Sequence, residues 1–114
     1  MARLDTQMLT QLQELLGARF PELVQRFEDD GARRLALLHV AVDDLDFEAI
    51  HAEAHGLKGS SRNMGANTLG DLCAEIEERG RTQDPLDLTV LRKGCEQEFK
   101  AVCQLLRQHL VAFT

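Results

Sequence analysis

The chain contains no tryptophan and no tyrosine, and aromatic residues make up only 4% of it. Residues branched at Cβ are also few, whereas leucine and alanine dominate the 44% that is hydrophobic. Strands favour aromatic and β-branched side chains, and helices favour leucine and alanine. The composition therefore predicts an all-α fold, and 114 residues are enough for a single domain, residues 1–114, around one core.

Positive charge is scarce, with 13 lysines and arginines against 19 aspartates and glutamates and a formal net charge of -6. Such a composition argues against general nucleic-acid binding, which needs cations to replace the counterions of the phosphate backbone. No apolar run approaches the roughly 20 residues that span a bilayer, and the first residues, MARLDTQ, lack the apolar segment of a signal peptide. We therefore expect a cytoplasmic protein without a nucleic-acid or membrane partner.

The cysteines number three, Cys73, Cys95 and Cys103. They form no closely spaced pair of the kind that binds metals, and an odd number cannot close a complete set of intramolecular disulfides. Each lies on the apolar phase of a predicted helix. We expect them to pack in the core as small hydrophobic residues.

Apolar residues recur at helical spacing in five segments. The predicted helices span approximately residues 5–16, 20–42, 46–64, 66–79 and 86–112. Asp5 or Thr6 can cap the N-terminus of the first helix and Asp46 that of the third, and Pro21 and Pro85 suit first helical turns. Gly80 suits the position just after a helix, which makes the following segment RTQDP a loop. Four long amphipathic helices with short connections are typical of an antiparallel four-helix bundle, here with an additional short N-terminal helix as a lid.

The segment HGLKGSSRNMGA, residues 55–66, places two glycines in a predicted helix. The expected core stripe of this third helix consists of Phe47, Ile50, Ala54, Leu57, Ser61 and Met64. His55 lies more than a right angle away from that stripe, so its side chain should face solvent. Lys58 and Gly59 follow it at i+3 and i+4, and Arg62 returns to nearly the same side of the helix.

Gly56 and Gly59 each cost about 1 kcal/mol relative to alanine inside a helix, so some other advantage should favour them. A glycine next to an exposed histidine leaves room for a second molecule to approach the ring. Alternatively, a neighbouring helix occupies that space, which suits Gly59 less well because it faces solvent. We expect the glycines to give access to His55.

The charges around His55 differ from those of the rest of the chain. No aspartate or glutamate occurs between Glu53 and Asp71, so His55 lies in a segment whose charged side chains are all basic. Lys58 and Arg62 can complement an anion of phosphate type. Charge alone equally allows an ordinary solvated helix face.

Two other chemistries are disfavoured. His51 and His55, spaced i, i+4, could hold a metal ion, but HAEAH departs from the H-E-x-x-H pattern of zinc proteases and no third ligand is evident. Two nearby cationic side chains would also repel a metal, so we expect no metal site. His39 and His109 have no distinctive neighbours and receive no role. Without a G-x-S-x-G motif or a P-loop, a self-contained hydrolase or ATP-using kinase is not expected.

HGLKGSSRNMGA resembles the signature H-x-x-K-G-[SA]-[SA]-x-x-x-G-[AL] of histidine-containing phosphotransfer domains, the HPt family of bacterial and eukaryotic phosphorelays. The matching positions are His55, Lys58, Gly59, Ser60, Ser61, Gly65 and Ala66. The similarity in helix order and length extends over nearly the whole chain. The resemblance implies that His55 is the phosphorylated nucleophile, that Lys58 stabilises charge on the phosphoryl group, and that Gly59 leaves space for the partner.

Further contacts to phosphate or partner are possible at Ser60, Arg62 and Arg81. Arg62 occupies a position where many relatives carry a small residue. Arg81 is expected just after the fourth helix, where some family members have a basic residue near the phosphorylation site. Glu77, on the fourth helix, is a candidate to face the imidazole.

By this resemblance the protein is a phosphoryl carrier in a two-component phosphorelay. It would accept a phosphoryl group on His55 from the aspartyl phosphate of a receiver domain in a hybrid sensor kinase, and pass it to the receiver of a response regulator. The chain needs no cofactor of its own, and Mg²⁺ is expected in the partner receiver. We expect a freestanding monomer. The alternative is a non-catalytic helical adaptor that binds receiver domains without accepting phosphate.

Overall fold

Five α-helices make up nearly all of the protein in a computed structural model, which describes residues 3–112. The helices are α1 (Thr6–Leu16), α2 (Phe20–Asp44), α3 (Phe47–Asn63), α4 (Asn67–Thr82) and α5 (Leu88–Ala112), and a short 3-10 turn, Gly17–Arg19, joins α1 to α2. No strand occurs in residues 3–112, which confirms the all-α prediction.

Local side-chain and backbone chemistry sets several helix boundaries. Asp5 accepts a hydrogen bond from the backbone N–H of Met8 at 3.1 Å, and Asp46 accepts one from that of Ala49 at 3.2 Å. These predicted caps satisfy amide groups that the first turn of a helix leaves unpaired. Leu45, in the left-handed conformation at φ 52°, ends α2 and turns the chain directly toward α3.

The four long helices close into an antiparallel bundle, in which α2 and α4 each pack against both α3 and α5. Each helix contributes its apolar stripe to one core. The largest fully buried side chains include Phe20, Leu38, Ile50, Leu57, Leu69, Ile76, Val102 and Leu106. The predicted four-helix bundle is therefore confirmed. None of the helices in the described part of the chain is both long and apolar enough to span a membrane.

Helix α1 covers the end of the bundle where α3 connects to α4, as expected of a lid. The backbone N–H of Asp5 donates to the carbonyl of Gly65 at 2.9 Å, and Leu9 is completely buried. Farther along α1, Oε1 of Gln13 lies 3.1 Å from Nε2 of His109 near the end of α5. The short helix is thus held by contacts to two parts of the bundle.

The end of α4 differs from the prediction that Gly80 lies just after the helix. The helix continues through Arg81 and Thr82, and Gln83, at φ 54°, ends it. Gly80 is instead buried between α3 and α4, where a Cβ atom would lie 2.7 Å from the backbone nitrogen of His51. The glycine serves close helix packing rather than helix termination, and the non-helical segment begins only after Thr82.

Helix α5 begins later than the predicted residue 86. Asp87 has a φ of 59°, which a right-handed helix does not accommodate, so the helix starts at Leu88. Pro85 therefore lies in the turn before α5, where its carbonyl accepts a hydrogen bond from the N–H of Leu88 at 3.3 Å. The prediction that Pro85 opens the helix is wrong for this reason.

The cysteines lie in or beside the core. Cys73 of α4 and Cys95 of α5 are buried side by side, with their sulfur atoms 3.6 Å apart. The hydrogen bond with Cys95, together with burial, raises the pKa of the Cys73 thiol well above its usual range. Cys103 is only partly buried, and desolvation raises its pKa to about 11. Core packing is confirmed for the first two cysteines, whereas Cys103 lies at the edge of the core.

Replacing Gly80 with alanine should lower the free energy of unfolding by about 1–3 kcal/mol, because the added methyl group forces α3 and α4 apart. Gly94 provides the matched control, since it lies inside α5 with open space at its Cβ position. Alanine at Gly94 should raise the free energy of unfolding by up to about 1 kcal/mol. Urea unfolding followed by far-ultraviolet circular dichroism measures both variants. If Gly80→Ala and Gly94→Ala changed the free energy of unfolding by similar amounts in the same direction, a packing role for Gly80 would be contradicted.

Candidate functional site

His55 projects from the outer face of α3, with its side chain 65% exposed. On the opposite face, α3 buries Ile50, Ala54, Leu57 and Ser61 in the core. Because these four residues are spaced three and four apart, their burial fixes the rotation of the helix about its axis. The predicted outward direction of His55 is confirmed.

Glu77 of α4 faces the imidazole from the neighbouring helix, with Oε2 lying 3.0 Å from Nδ1 of His55. An ionised carboxylate can only accept hydrogen bonds. In the neutral ring this contact therefore places the proton on Nδ1 and leaves the free lone pair on Nε2. The sequence identified Glu77 as a candidate to face His55, and the structure places it there.

Lys58 contacts the same carboxylate from the next turn of α3. Its Nζ donates a hydrogen bond to Oε2 of Glu77 at 3.0 Å and forms an ion pair with Oε1 at 2.5 Å. Burial by itself would raise the pKa of Glu77, but the hydrogen bonds from Lys58 and His55 outweigh burial and hold that pKa below its usual value. Glu77 is thus ionised at neutral pH and links the two site residues of α3.

Gly59 leaves an open surface one turn beyond His55. A Cβ atom at this position would meet nothing within 4 Å among the neighbouring atoms of residues 3–112. Packing within the described chain therefore does not require a glycine here. The open surface agrees with the expectation that Gly59 leaves room for another molecule.

Gly56 has a different neighbour. A Cβ atom there would lie 2.3 Å from the guanidinium carbon of Arg34 on α2. Arg34 donates to Asp30 at 2.9 Å and to Glu53 at 3.1 Å, and the second of these bonds ties α2 to α3. The expectation that both glycines give access to His55 is therefore wrong for Gly56, because a side chain from the neighbouring helix fills its space.

Arg62 and Arg81 form no hydrogen bond or ion pair with His55 in the part of the chain that the structure describes. Arg62 pairs with Asp71 of α4 at 3.5 Å. Arg81 lies within the last turn of α4, rather than after it, and pairs with Glu78 of the same helix. Both guanidinium groups are thus engaged by carboxylates at the edges of the α3–α4 surface.

An open apolar groove of about 700 Å³ lies beside Ser60, between α1, α2 and α3. The Ser60 hydroxyl donates to the carbonyl of Leu57 in its own helix at 3.2 Å. The apolar lining of the groove comprises Leu12, Leu23, Phe27 and Met64. Because Ser60 directly follows the exposed Gly59, a partner that covers Gly59 can also reach this groove.

His51 lies one turn before His55, and the two rings are nearly parallel. Their centroids are 6.2 Å apart and their planes differ by 7°. Residues 3–112 include no cluster of three or more histidine, cysteine, aspartate or glutamate residues that could hold a metal ion. From the sequence, His51 was considered only as a metal ligand, and this ring contact was not predicted. The i, i+4 spacing was the available signal, but the ring planes depend on side-chain rotamers.

Comparison with known proteins relates this geometry to a family. The sequence profile described as the Hpt domain matches residues 22–110. Histidine-containing phosphotransfer protein 1 of Oryza sativa subsp. japonica is 32% identical over 121 residues, which cover 95% of this chain and 82% of the rice protein. Histidine-containing phosphotransfer protein 1 of Arabidopsis thaliana is 30% identical over 113 residues, which cover 94% of this chain and 63% of the Arabidopsis protein.

A solved structure shows the same fold. The crystal structure of histidine-containing phosphotransfer protein B from Pseudomonas aeruginosa PAO1 superposes with a TM-score of 0.90 at 36% sequence identity. The superposition covers 94% of this chain and 93% of that protein. The chain therefore belongs to the Hpt domain family, the histidine-containing phosphotransfer proteins of His–Asp phosphorelays.

Proposed function

We propose that this protein carries a phosphoryl group on Nε2 of His55 from the receiver domain of a hybrid sensor kinase to that of a response regulator. The observation that carries the proposal is the 3.0 Å contact of Glu77 with Nδ1 of an imidazole that is otherwise 65% exposed. This contact holds one ring nitrogen and leaves the other available to a partner. Membership of the Hpt domain family supports the same chemistry.

The transfer needs no cofactor in this chain, and we assign the Mg²⁺ ion of such reactions to the receiver. The lone pair of Nε2 attacks the phosphorus of an aspartyl phosphate, the N–P bond forms as the P–O bond breaks, and the aspartate leaves as a carboxylate. Nδ1 keeps its proton, so the ring gains a positive charge, which the Glu77 carboxylate offsets. The reverse step, onto an aspartate of the second receiver, regenerates neutral His55.

Lys58 supplies positive charge beside the phosphoryl group. It lies one turn from His55, and its ammonium carries three N–H donors. One donor is engaged by Glu77, so the others can bind phosphoryl oxygens while the ion pair is kept. Such preorganised charge lowers the energy of a transition state in which negative charge is spread over the phosphoryl oxygens.

The receiver is proposed to dock over Gly59 and the groove beside Ser60. Gly59 lets the partner backbone approach the helix closely, and the apolar groove offers surface that docking can bury. Ser60 lines this groove, whereas Arg62 and Arg81 lie at the edges of the α3–α4 surface. We propose that all three contact the partner rather than the phosphate. The support for this assignment is that both arginines are already paired with carboxylates.

We also propose that the protein works in the cytoplasm as a monomer. The support is the position of His55 on one exposed face of a single bundle, where a receiver can reach it without a second copy of the chain. The acidic net charge of -6 supports a partner other than nucleic acid.

Replacing His55 with glutamine should abolish phosphate acceptance, because the amide side chain has no nucleophilic lone pair equivalent to Nε2. Circular dichroism should show unchanged helix content. The matched control is His39→Gln, which changes an exposed histidine on α2 and should accept phosphate at the wild-type rate. Acid-labile label is measured after incubation with a phosphorylated receiver. Labelled His55→Gln would refute the assignment, and an unlabelled wild-type protein that still binds the receiver would establish the adaptor function instead.

Replacing Gly59 with glutamine should slow phosphoryl transfer at least about tenfold, because a long side chain would occupy the surface that the partner covers. The variant should be no less stable than wild type, since glutamine favours helix more than glycine does. Gly94→Gln is the control, because Gly94 also lies in a helix with open space at its Cβ position. Equal transfer rates in the two variants would show that access at Gly59 does not matter.

Replacing Glu77 with glutamine should lower the free energy of unfolding by about 1–2 kcal/mol at pH 7, because Lys58 loses its ionised partner. The folded-state pKa of Glu77 is depressed, so its ionisation stabilises the protein above the unfolded-state pKa, and that stabilisation is lost as pH falls through the depressed value. The difference between wild type and variant should therefore shrink on acidification.

Denaturant unfolding at several pH values measures this difference. Glu78→Gln is the matched control, because Glu78 is the adjacent residue and its more exposed side chain pairs with Arg81 at the surface. At pH 7, Glu78→Gln should lower the free energy of unfolding clearly less than Glu77→Gln does. A Glu77→Gln effect that is constant with pH would show that ionisation of Glu77 does not stabilise the fold.

A further inference from the structure

We propose that His51 is a positioning residue for His55 and holds the plane of the reactive imidazole by contact between the two rings. This inference rests on the proposed function, because it concerns the nitrogen that we assign as the nucleophile. The sequence motif that identified the site begins at His55 and does not include residue 51. The role of His51 is therefore inferred from the ring geometry in the structure.

The two rings lie against one another along α3. Their planes differ by only 7° and their centroids are 6.2 Å apart. Residues four apart in a helix lie on the same face, and ring pairs with centroids about 4.5–7 Å apart attract one another in offset stacks. The His51 and His55 rings therefore form a parallel, laterally offset pair.

Glu77 alone does not define where Nε2 points. A single hydrogen bond at Nδ1 restrains one atom of the imidazole, but the ring plane can still change by coupled rotation about χ1 and χ2. The parallel ring of His51 opposes this rotation, because rotation would lose the offset stack. The hydrogen bond from α4 and the offset stack on α3 together orient Nε2. In-line attack on phosphorus depends on that orientation.

His51 is itself held in place by α4. His51 is partly buried. Its backbone nitrogen lies close to Gly80 of α4, and a Cβ atom at position 80 would be 2.7 Å from this nitrogen. The backbone that carries the His51 ring is therefore fixed by the packing of α3 against α4.

Two substitutions separate ring contact from other roles of His51. His51→Ala removes the ring, and His51→Phe restores a flat ring without nitrogen atoms. In single-turnover reactions with saturating phosphorylated receiver, His51→Ala should slow the transfer step about three- to tenfold, with less than about a twofold change in receiver Kd. His51→Phe should return the rate constant to within about twofold of wild type. The matched control His39→Ala should leave both constants unchanged.

A second measurement does not depend on activity. Three-bond scalar couplings between Hβ and Cδ2 of His55, which report the torsion χ2 that sets the ring plane, should shift toward averaged values in unphosphorylated His51→Ala and keep wild-type values in His51→Phe. A wild-type transfer rate in His51→Ala would overturn the proposal, as would a phenylalanine variant as slow as the alanine variant. A wild-type protein that accepts no phosphate would refute the proposed function instead, and the couplings would still decide whether His51 restricts His55.

Discussion

The close packing of α3 against α4 is the constraint on which the site depends. At Gly80 the two helices approach so closely that a Cβ atom would lie 2.7 Å from the backbone of α3. Glu77 lies about one turn before Gly80, and at this separation its short side chain reaches both His55 and Lys58. A wider gap between the helices would leave the carboxylate solvated and the imidazole without a partner. The geometry of the nucleophile is therefore set by helix packing as much as by the motif on α3.

Three helical glycines of this region have three different physical causes. Gly80 allows the helix backbones to approach, Gly56 makes room for the guanidinium of Arg34, and Gly59 has open space beside it. Helix propensity penalises each of them by about the same amount, roughly 1 kcal/mol relative to alanine. At Gly80 and Gly56, packing against a neighbouring helix compensates this penalty. For Gly59, residues 3–112 offer no packing that compensates the penalty, so we attribute the compensation to a partner.

The electrostatics of the site combine local and tertiary contributions. Along the sequence, His55 lies in a segment without acidic residues, and this suggests a purely cationic surface. The fold brings the carboxylate of Glu77 from another helix to His55 and Lys58. The Glu77 carboxylate orients the imidazole of His55 and holds the ammonium of Lys58 in place. The ammonium still has N–H donors that can bind an anion. The surface thus remains able to receive a phosphoryl group although an acid lies at its centre.

Much of this protein was determined by its sequence alone, because helix formation, capping and the division into buried and exposed faces depend on local spacing. The helices, the caps at Asp5 and Asp46, and the outward direction of His55 follow from such patterns. The end of α4 could not be predicted from the sequence, because Gly80 is required by the close packing of α3 and not by helix termination. The roles of Gly56 and His51 were likewise decided by tertiary structure, since they depend on a side chain from α2 and on the relative planes of two rings. Sequence spacing specifies the face on which a residue lies, but only the packed structure specifies what that residue meets.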